Sequence, residues 1–423
     1  MLDIKFIREN KDVVKKAIKD KGLTLDLEKL LKLDEERRKL ITETDELNKQ
    51  RKELAKERDK EKGKALKEKL GKLEEKLREV EGQYNELMLL VPNIPSPETP
   101  VGDAGANKEI YKWGEIPKFD FKPKSHIELG EALDLIDLER GVKASGFRGY
   151  YLKNEAVLMQ MAVLWHTLRK LIAKGFTPMI PPTLLREFAL VGSGHFPFGR
   201  EEVYQIGNPH SLEQKGDEDK NKVFLAGTSE PAVLAYYAGE VLEEKNLPVK
   251  ICAVSPAYRS EVGSYGKDTK GVYRIHEFMK VEQVVLCQNN IEESKKWLSE
   301  LENISKEILE ELELPYRVIV NATGDQGAGK YEMHDIETWM PSREGYGETH
   351  SDSALTDWQA RRLNIRYRTK AGKFEYVHTL NNTAIASPRI LIAILENYQQ
   401  PDGSVKIPKV LQEYVGKKII TPK

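Results

Sequence analysis

From Leu66 the apolar residues fall at Leu66, Leu70, Leu73, Leu77, Val80, Tyr84, Leu87 and Val91, a 4-3 spacing without a miss. Such a heptad seam commits the segment to a helix that buries one stripe against another helix. The partner lies upstream, where Leu33, Leu40, Leu47 and Leu54 repeat every seven residues and the complementary positions hold Arg37, Thr44, Arg51 and Arg58. Half of that seam is apolar, and long arginine stems can cover the rest. Only EKGKA around Gly63 separates the two runs, so the spacing predicts an antiparallel two-helix coiled-coil arm over 27–91. Its first helix, from about Leu27 to about Lys60, is about 50 Å long at 1.5 Å per residue. Coiled coils are more often scaffold or dimerisation elements than nucleic-acid binders. A hairpin with its own core needs no partner, however, and Lys56, Arg58, Lys60, Lys62 and Lys64 near its tip could meet phosphates. The run PNIPSPETPVGDAGAN after Val91 reads as a linker.

A chain of 423 residues exceeds what one core usually serves, and the composition shift places an N-terminal helical domain at 1–100 and a second domain at 101–423. With a net charge of −1 and 32% charged residues there is no global basic field, so contact with a polyanion must be local. Cys252 and Cys287 are too few for a disulfide framework or a thiolate zinc site, and no apolar run reaches the ~18 residues of a membrane span. The N-terminus MLDIKFIREN has no apolar signal core, which predicts a cytoplasmic protein with no membrane partner. Beyond the linker, helical stretches at Asn154–Lys174 and Glu292–Leu312 mix with strand-like runs at Lys222–Leu225, Lys250–Val254, Val281–Leu286, Tyr316–Val320 and Phe374–Thr379. Strands outnumber helices and hairpin-length loops join many of them, which predicts an α+β domain built on an antiparallel sheet flanked by helices.

Within it, AYRSEVGSYGKDTKGVYRIHEFMKVE at Ala257–Glu282 carries an unusual polar set. Arg259 and Glu261 end one strand-like run, and Arg274, His276, Phe278, Lys280 and Glu282 alternate along the next. Residues two apart share a strand face, so Phe278 and Glu282 lie about 13 Å apart on one surface, the span of an aminoacyl-adenylate. A wet face of an antiparallel sheet explains polar alternation equally well. The functional reading has Phe278 stacking a purine, Arg259 gripping a phosphate as a planar fork and Glu282 holding an ammonium group.

Three further segments bear on that choice. In GTSEP, Ser229 precedes a helical run as an ordinary N-cap. GETHSDSALTDWQARR holds Glu348 and Ser351, hard oxygen donors suited to magnesium beside a nucleotide. LNNTAIASPRILIAILENYQ puts Thr383 in a turn and Arg389 at the start of an apolar helix whose first turn holds Pro388. By contrast, Gly324 to Lys330 matches a phosphate-binding loop except that Tyr331 stands where Ser or Thr would bind magnesium. The following EMHDIETWM alternates like a strand, and a phosphate loop must open a helix, so this segment is no nucleotide site. Neither HExxH nor paired cysteines occur, which argues against structural zinc.

In this order, behind a coiled-coil hairpin, these segments closely resemble the seryl-tRNA synthetases, class II enzymes of the ordinary bacterial type, over essentially the whole chain. GFTPMIPP at Gly175–Pro182 resembles the first class motif, AYRSE to KVEQ the second and NNTAIASPRILIAILEN the third. The resemblance implies a homodimer, with a class II antiparallel sheet behind the arm. It further implies that Arg259 binds the α-phosphate and the amino-acid carboxylate, and that Glu261 orients the adenine amino group. Phe278 and Arg389 would sandwich the adenine, with Arg389 also near the γ-phosphate. Ser260, Ile275, Thr349 and His350 fall in ATP-contacting segments, and Glu348 and Ser351 match the metal pair. Thr228, Glu230, Glu282 and Thr383 match the serine pocket. Two departures are His276-Glu277, where His-Gln is usual, and Asp352, where a small residue or Cys is common.

The implied reaction uses ATP and magnesium. Serine attacks the α-phosphorus to give seryl-adenylate and pyrophosphate, and the seryl group then passes to the 3′ end of serine tRNA, with selenocysteine tRNA an open second acceptor. Such a transfer needs alignment and charge neutralisation more than an enzyme nucleophile, which makes Arg259 and Arg389 the catalytic residues. Serine tRNA would be held by the arm and by the 261–273 loop, where Lys267 and Lys270 supply charge for the acceptor end. Rival readings are a class II ligase for another amino acid, a paralogue that loads a carrier protein, and a non-catalytic RNA-binding adaptor.

Overall fold

The structure is a computed structural model and describes residues 1–57, 60–207, 222–262 and 270–422, without the side chains of 55–61. The 207–221 loop beyond Gly207, Lys267 and most of the 261–273 loop therefore lie outside the described residues. The chain forms two compact units, Met1–Ile94 and Pro95–Lys423.

In the first unit, helices α1 (Leu27–Glu57) and α2 (Lys60–Leu89) lie side by side. Leu33, Leu40, Leu47, Leu70, Val80 and Tyr84 are buried along the seam. Arg37 reaches Glu81 (3.0 Å) and Lys76 reaches Glu36 (2.8 Å) across the pair. The first helix ends at Glu57 and the second begins at Lys60, so packing side by side over so short a connection makes them antiparallel. The Arg37 guanidinium lies 5.2 Å from the Tyr84 ring centre, covering apolar surface at a non-apolar seam position. The expected turn at Gly63 is corrected: Gly63 lies inside α2, because one glycine costs a helix only about 1 kcal/mol. Nor is the Pro-rich run a free linker beyond residue 95. Ser96 N donates to Tyr331 O (2.6 Å) and Thr323 N to Pro100 O (2.8 Å), which fasten it to the second unit.

The second unit is built on an eight-stranded sheet of β1 (Lys108–Trp113), β2 (Thr177–Met179), β3 (Val249–Tyr258), β4 (Glu277–Cys287), β5 (Tyr316–Val320), β6 (Glu332–Met340), β7 (Gly345–Thr356) and β8 (His378–Ser387). Its spatial order is β1-β5-β6-β7-β8-β4-β3-β2. All neighbours pair antiparallel except β2, which joins β3 in parallel at one edge. Two expectations are corrected here. The second run of the Ala257–Glu282 hairpin becomes a strand only at Glu277, leaving Arg274 and His276 before it, and Thr383 lies on β8 rather than in a turn. EMHDIETWM is β6, as its alternation predicts. The glycine ahead of it serves packing: a Cβ on Gly329 would stand 2.6 Å from the Trp358 ring.

Helices α3 (Glu155–Ala173) and α5 (Ile291–Glu311) contribute to the main core, and α5 covers the face of the sheet opposite the site described below. Beneath α5 the His334 ring bonds Glu302 (2.6 Å) and Glu332 (3.2 Å) through its two nitrogens. Burial opposes the charge on His334, yet the two carboxylates prevail and raise its pKa from 6.5 to about 10. A folded-state value above the unfolded one stabilises the fold fully below about pH 6.5 and loses that contribution as pH rises through about 10. Between pH 6.5 and 10 the protein is therefore expected to lose about 2 kcal/mol more unfolding free energy than its His334→Gln variant. Parallel urea curves at both pH values check this, and equal losses would contradict it.

Candidate active site

One face of the sheet opens into a concave cleft lined by both charged and apolar side chains. Its floor is set by strand alternation. Phe278, Lys280 and Glu282 are spaced by two along β4, and Ala257 of β3 pairs with Phe278, so Arg259, two residues on, rises on the same side. Two β-bulges complete the face. Between β6 and β7, Glu337 opposes Glu348 while Asp335 opposes Ser351, so one extra residue at Thr349 puts Glu348 and Ser351 on one side although they are three apart. Between β8 and β4, Thr383 opposes Glu282 and Ala386 opposes Lys280, with Ala384 the extra residue.

At the deep end Glu282 is fully buried. Lys280 Nζ stands 2.5 Å from Glu282 Oε2, and Asn381 Nδ2 donates to Oε1 (3.1 Å). Burial pushes the Lys280 pKa below its ordinary value although Glu282 pulls the other way. Thr383, directly across from Glu282, lines the cleft. Thr228 and Glu230 lie on the neighbouring Gly227–Glu230 segment. Its Gly227 carbonyl accepts from Arg259 Nε (3.2 Å), and Gln359 Nε2 donates to the buried Glu230 Oε1 (2.6 Å). Ser229 takes the N-cap position of helix α4 (Glu230–Tyr236), but its buried hydroxyl makes no capping bond.

At the other end the Arg259 guanidinium sits 5.3 Å from the Phe278 ring centre. Helix α6 (Arg389–Asn397) begins with Arg389, which donates to Tyr273 O (3.0 Å) and Glu348 O (3.1 Å) and stands 3.3 Å from Glu348 Oε2. Arg274 donates to Glu261 Oε2 (3.0 Å), with Arg148 3.7 Å from the same oxygen. The cleft thus gathers Arg259, Glu261, Ile275, Phe278, Glu348, Thr349, Thr383 and Arg389. Its lining does not include Thr228, Glu230, Glu282 or Ser351, which lie on segments next to it, nor Ser260, whose hydroxyl donates to Glu201 O (2.8 Å), nor His350, which turns to the opposite face and is buried beside Thr349. Lys280, Tyr273, Arg274 and Asn381 also contribute, although sequence reasoning gave none of them a role. Their signal was their place inside the second and third motifs.

The oxygen donors suit a hard divalent cation. Glu348 and Ser351 share a face with Asp335, whose buried Oδ1 has no hydrogen-bond partner. Burial and the nearby Glu348 charge push Asp335 up to about 7. Among the described residues no group of three or more His, Cys, Asp or Glu side chains has a metal-binding arrangement, and no helix is long and apolar enough to cross a membrane.

A mostly antiparallel sheet with an arginine just past the end of its second-motif strand, another opening the third-motif helix, and an acid-and-threonine pocket between them is the catalytic core of a class II aminoacyl-tRNA synthetase. Residues 210–398 match the tRNA synthetase class II core domain (G, H, P, S and T), and residues 1–95 match the seryl-tRNA synthetase N-terminal domain. The chain is 47% identical to the serine–tRNA ligase of Deinococcus radiodurans over 98% of each chain. Its structure is similar to that of Pyrococcus horikoshii seryl-tRNA synthetase complexed with ATP (TM-score 0.88, 39% identity, 100% of both chains). It is also similar to the cytoplasmic serine–tRNA ligase of Naegleria fowleri in complex with AMP (TM-score 0.87, 29% identity, 100% of this chain and 99% of that one). The chain belongs to the seryl-tRNA synthetase family.

Proposed function

We infer that this protein is a serine–tRNA ligase that forms seryl-adenylate from serine and ATP and passes the seryl group to serine tRNA. The observation that carries the reading is the cross-strand pair of Glu282 and Thr383, whose threonine lines the same cleft as Arg259, Phe278 and Arg389. A buried carboxylate faces the serine ammonium group, and the Thr383 hydroxyl with Glu282 reads the substrate hydroxyl. Arg259 bridges the serine carboxylate and the α-phosphate, holding nucleophile and electrophile in line. Arg389 neutralises charge that develops on the leaving pyrophosphate, and Phe278 supplies a stacking face for adenine. Alanine would leave the buried hydroxyl partners unpaired, and threonine would lack room. Pyrophosphate exchange with a panel of amino acids tests this. Serine alone should support exchange, and a preference for another amino acid would discard the reading.

Glu348 and Ser351 are the residues that would hold magnesium, which supplies charge neutralisation and phosphate alignment when bound. Replacing Glu348 by Gln should raise the magnesium concentration for half-maximal exchange about tenfold, and isothermal titration with Mn2+ should show weaker binding. An unchanged metal dependence would remove Glu348 from that role.

The homodimer reading is supported by an exposed apolar patch in which Met161 and Trp165 of α3 adjoin Ile180, which is 87% exposed just beyond edge strand β2. Equilibrium sedimentation tests it. A cytoplasmic setting fits the two cysteines, which are both free and buried. Contact of tRNA with the arm and with Lys270 remains part of the proposal.

A further inference from the structure

Helix α6 carries more than the arginine at its start. Glu396, two turns beyond Arg389 and on the same helix face, has no solvent exposure, yet its carboxylate is fully engaged. His126 N (2.9 Å), His126 Nδ1 (2.8 Å) and the Ser342 hydroxyl (2.7 Å) bond Oε1, and Ser342 N donates to Oε2 (2.9 Å). Burial works against this negative charge, but the donors hold its pKa below the usual carboxylate value. The far nitrogen of the same imidazole, His126 Nε2, accepts from Val272 N (3.3 Å). A carboxylate only accepts and a backbone N–H only donates, so the two bonds specify a neutral ring with its proton on Nδ1.

Both branches of this network end beside the nucleotide end of the cleft. Val272 precedes Tyr273, whose carbonyl accepts from Arg389, and Ser342 precedes Arg343. The Arg343 and Arg389 guanidinium groups lie 4.3 and 4.5 Å from the Tyr273 ring centre. Gly271 is fitted to the same contact. It has φ +71°, and a Cβ there would stand 2.1 Å from His126 Nε2.

We propose that Glu396 and neutral His126 form a positioning relay that fixes Tyr273, and with it the Arg389 guanidinium, for nucleotide binding. Neither residue touches the cleft described above, so both are positioning residues rather than catalytic ones. The inference rests on the ligase reading only in taking ATP as the ligand. Its test is the dissociation constant of ATP, measured by calorimetry without serine, so a failure of serine chemistry would count against the ligase reading alone. His126→Asn keeps a donor toward Glu396 but loses the acceptor for Val272, and should weaken ATP about tenfold. His126→Gln places an acceptor near the Nε2 position and should recover most of that loss. The KM for serine should stay within about twofold in both, with melting temperatures within a few degrees of wild type. Gly271→Ala, which presses on Nε2 without touching Glu396, should weaken ATP comparably and carries the test by itself if His126→Asn does not fold. Unchanged ATP affinity in the Asn or Ala variant, equal losses in Asn and Gln, or losses that track melting temperature across the series would overturn the relay.

Discussion

Replacing Thr383 by Val is expected to cut serine-dependent pyrophosphate exchange about a hundredfold while leaving the KM for ATP within about twofold. The substitution keeps the β-branched shape that suits a strand and removes only the hydroxyl directly across from Glu282. Glu282 has no access to water, and Lys280 and Asn381 already engage it, so the serine hydroxyl loses a partner that nothing nearby can replace. ATP is spared because Arg259, Phe278 and Arg389 lie toward the other end of the cleft. Steady-state exchange with serine and ATP varied separately checks this. Unchanged serine kinetics would move the recognition of the hydroxyl elsewhere.

The second large effect belongs to the arm. Removing 27–91 is expected to leave serine-dependent exchange within about threefold of wild type while reducing tRNA charging a hundredfold or more. Every group assigned to adenylate formation lies in the Pro95–Lys423 unit, and the arm closes its own seam through Leu40, Leu47, Leu70 and Val80. A hairpin of about 50 Å has the reach to hold a part of a long RNA remote from its 3′ end. Charging of a serine tRNA transcript by the shortened protein is the measurement. Survival of charging would make the arm scaffold, and equal loss of exchange would show that it supports the fold.

Much of this was readable before any coordinates. The heptads predicted the arm, and the β-branched run Tyr316–Val320 became a strand with those same ends, because patterns of period 3.5 and 2 report local burial directly. The failures share a cause, which is tertiary contact overriding local preference. Asn381-Asn382-Thr383 looked like a turn because asparagine favours turns. Here the Asn382 amide donates to Gln283 Oε1, Leu301 O and Ser305 Oγ, and Asn381 serves Glu282, so the side chains satisfy partners on other elements while the backbone stays in the sheet. Gly63 looked like a break because the cost of one glycine is invisible beside the packing of a long helix. The Glu396–His126 network had no sequence signal at all, since its members are 270 residues apart.

The two extra residues at Thr349 and Ala384 have a bearing on how this scaffold can be altered. Each acts as a phase shifter: deleting either would send the side chains on one flank to the reverse of the ribbon, parting Glu348 from Ser351 in one case and Thr383 from Ala386 in the other. Redesign of substrate preference is therefore open to swaps of side chain at fixed length and closed to single-residue indels in these two strands. Any comparison of relatives that treats those positions as gaps will put the right letters on the wrong side of the sheet.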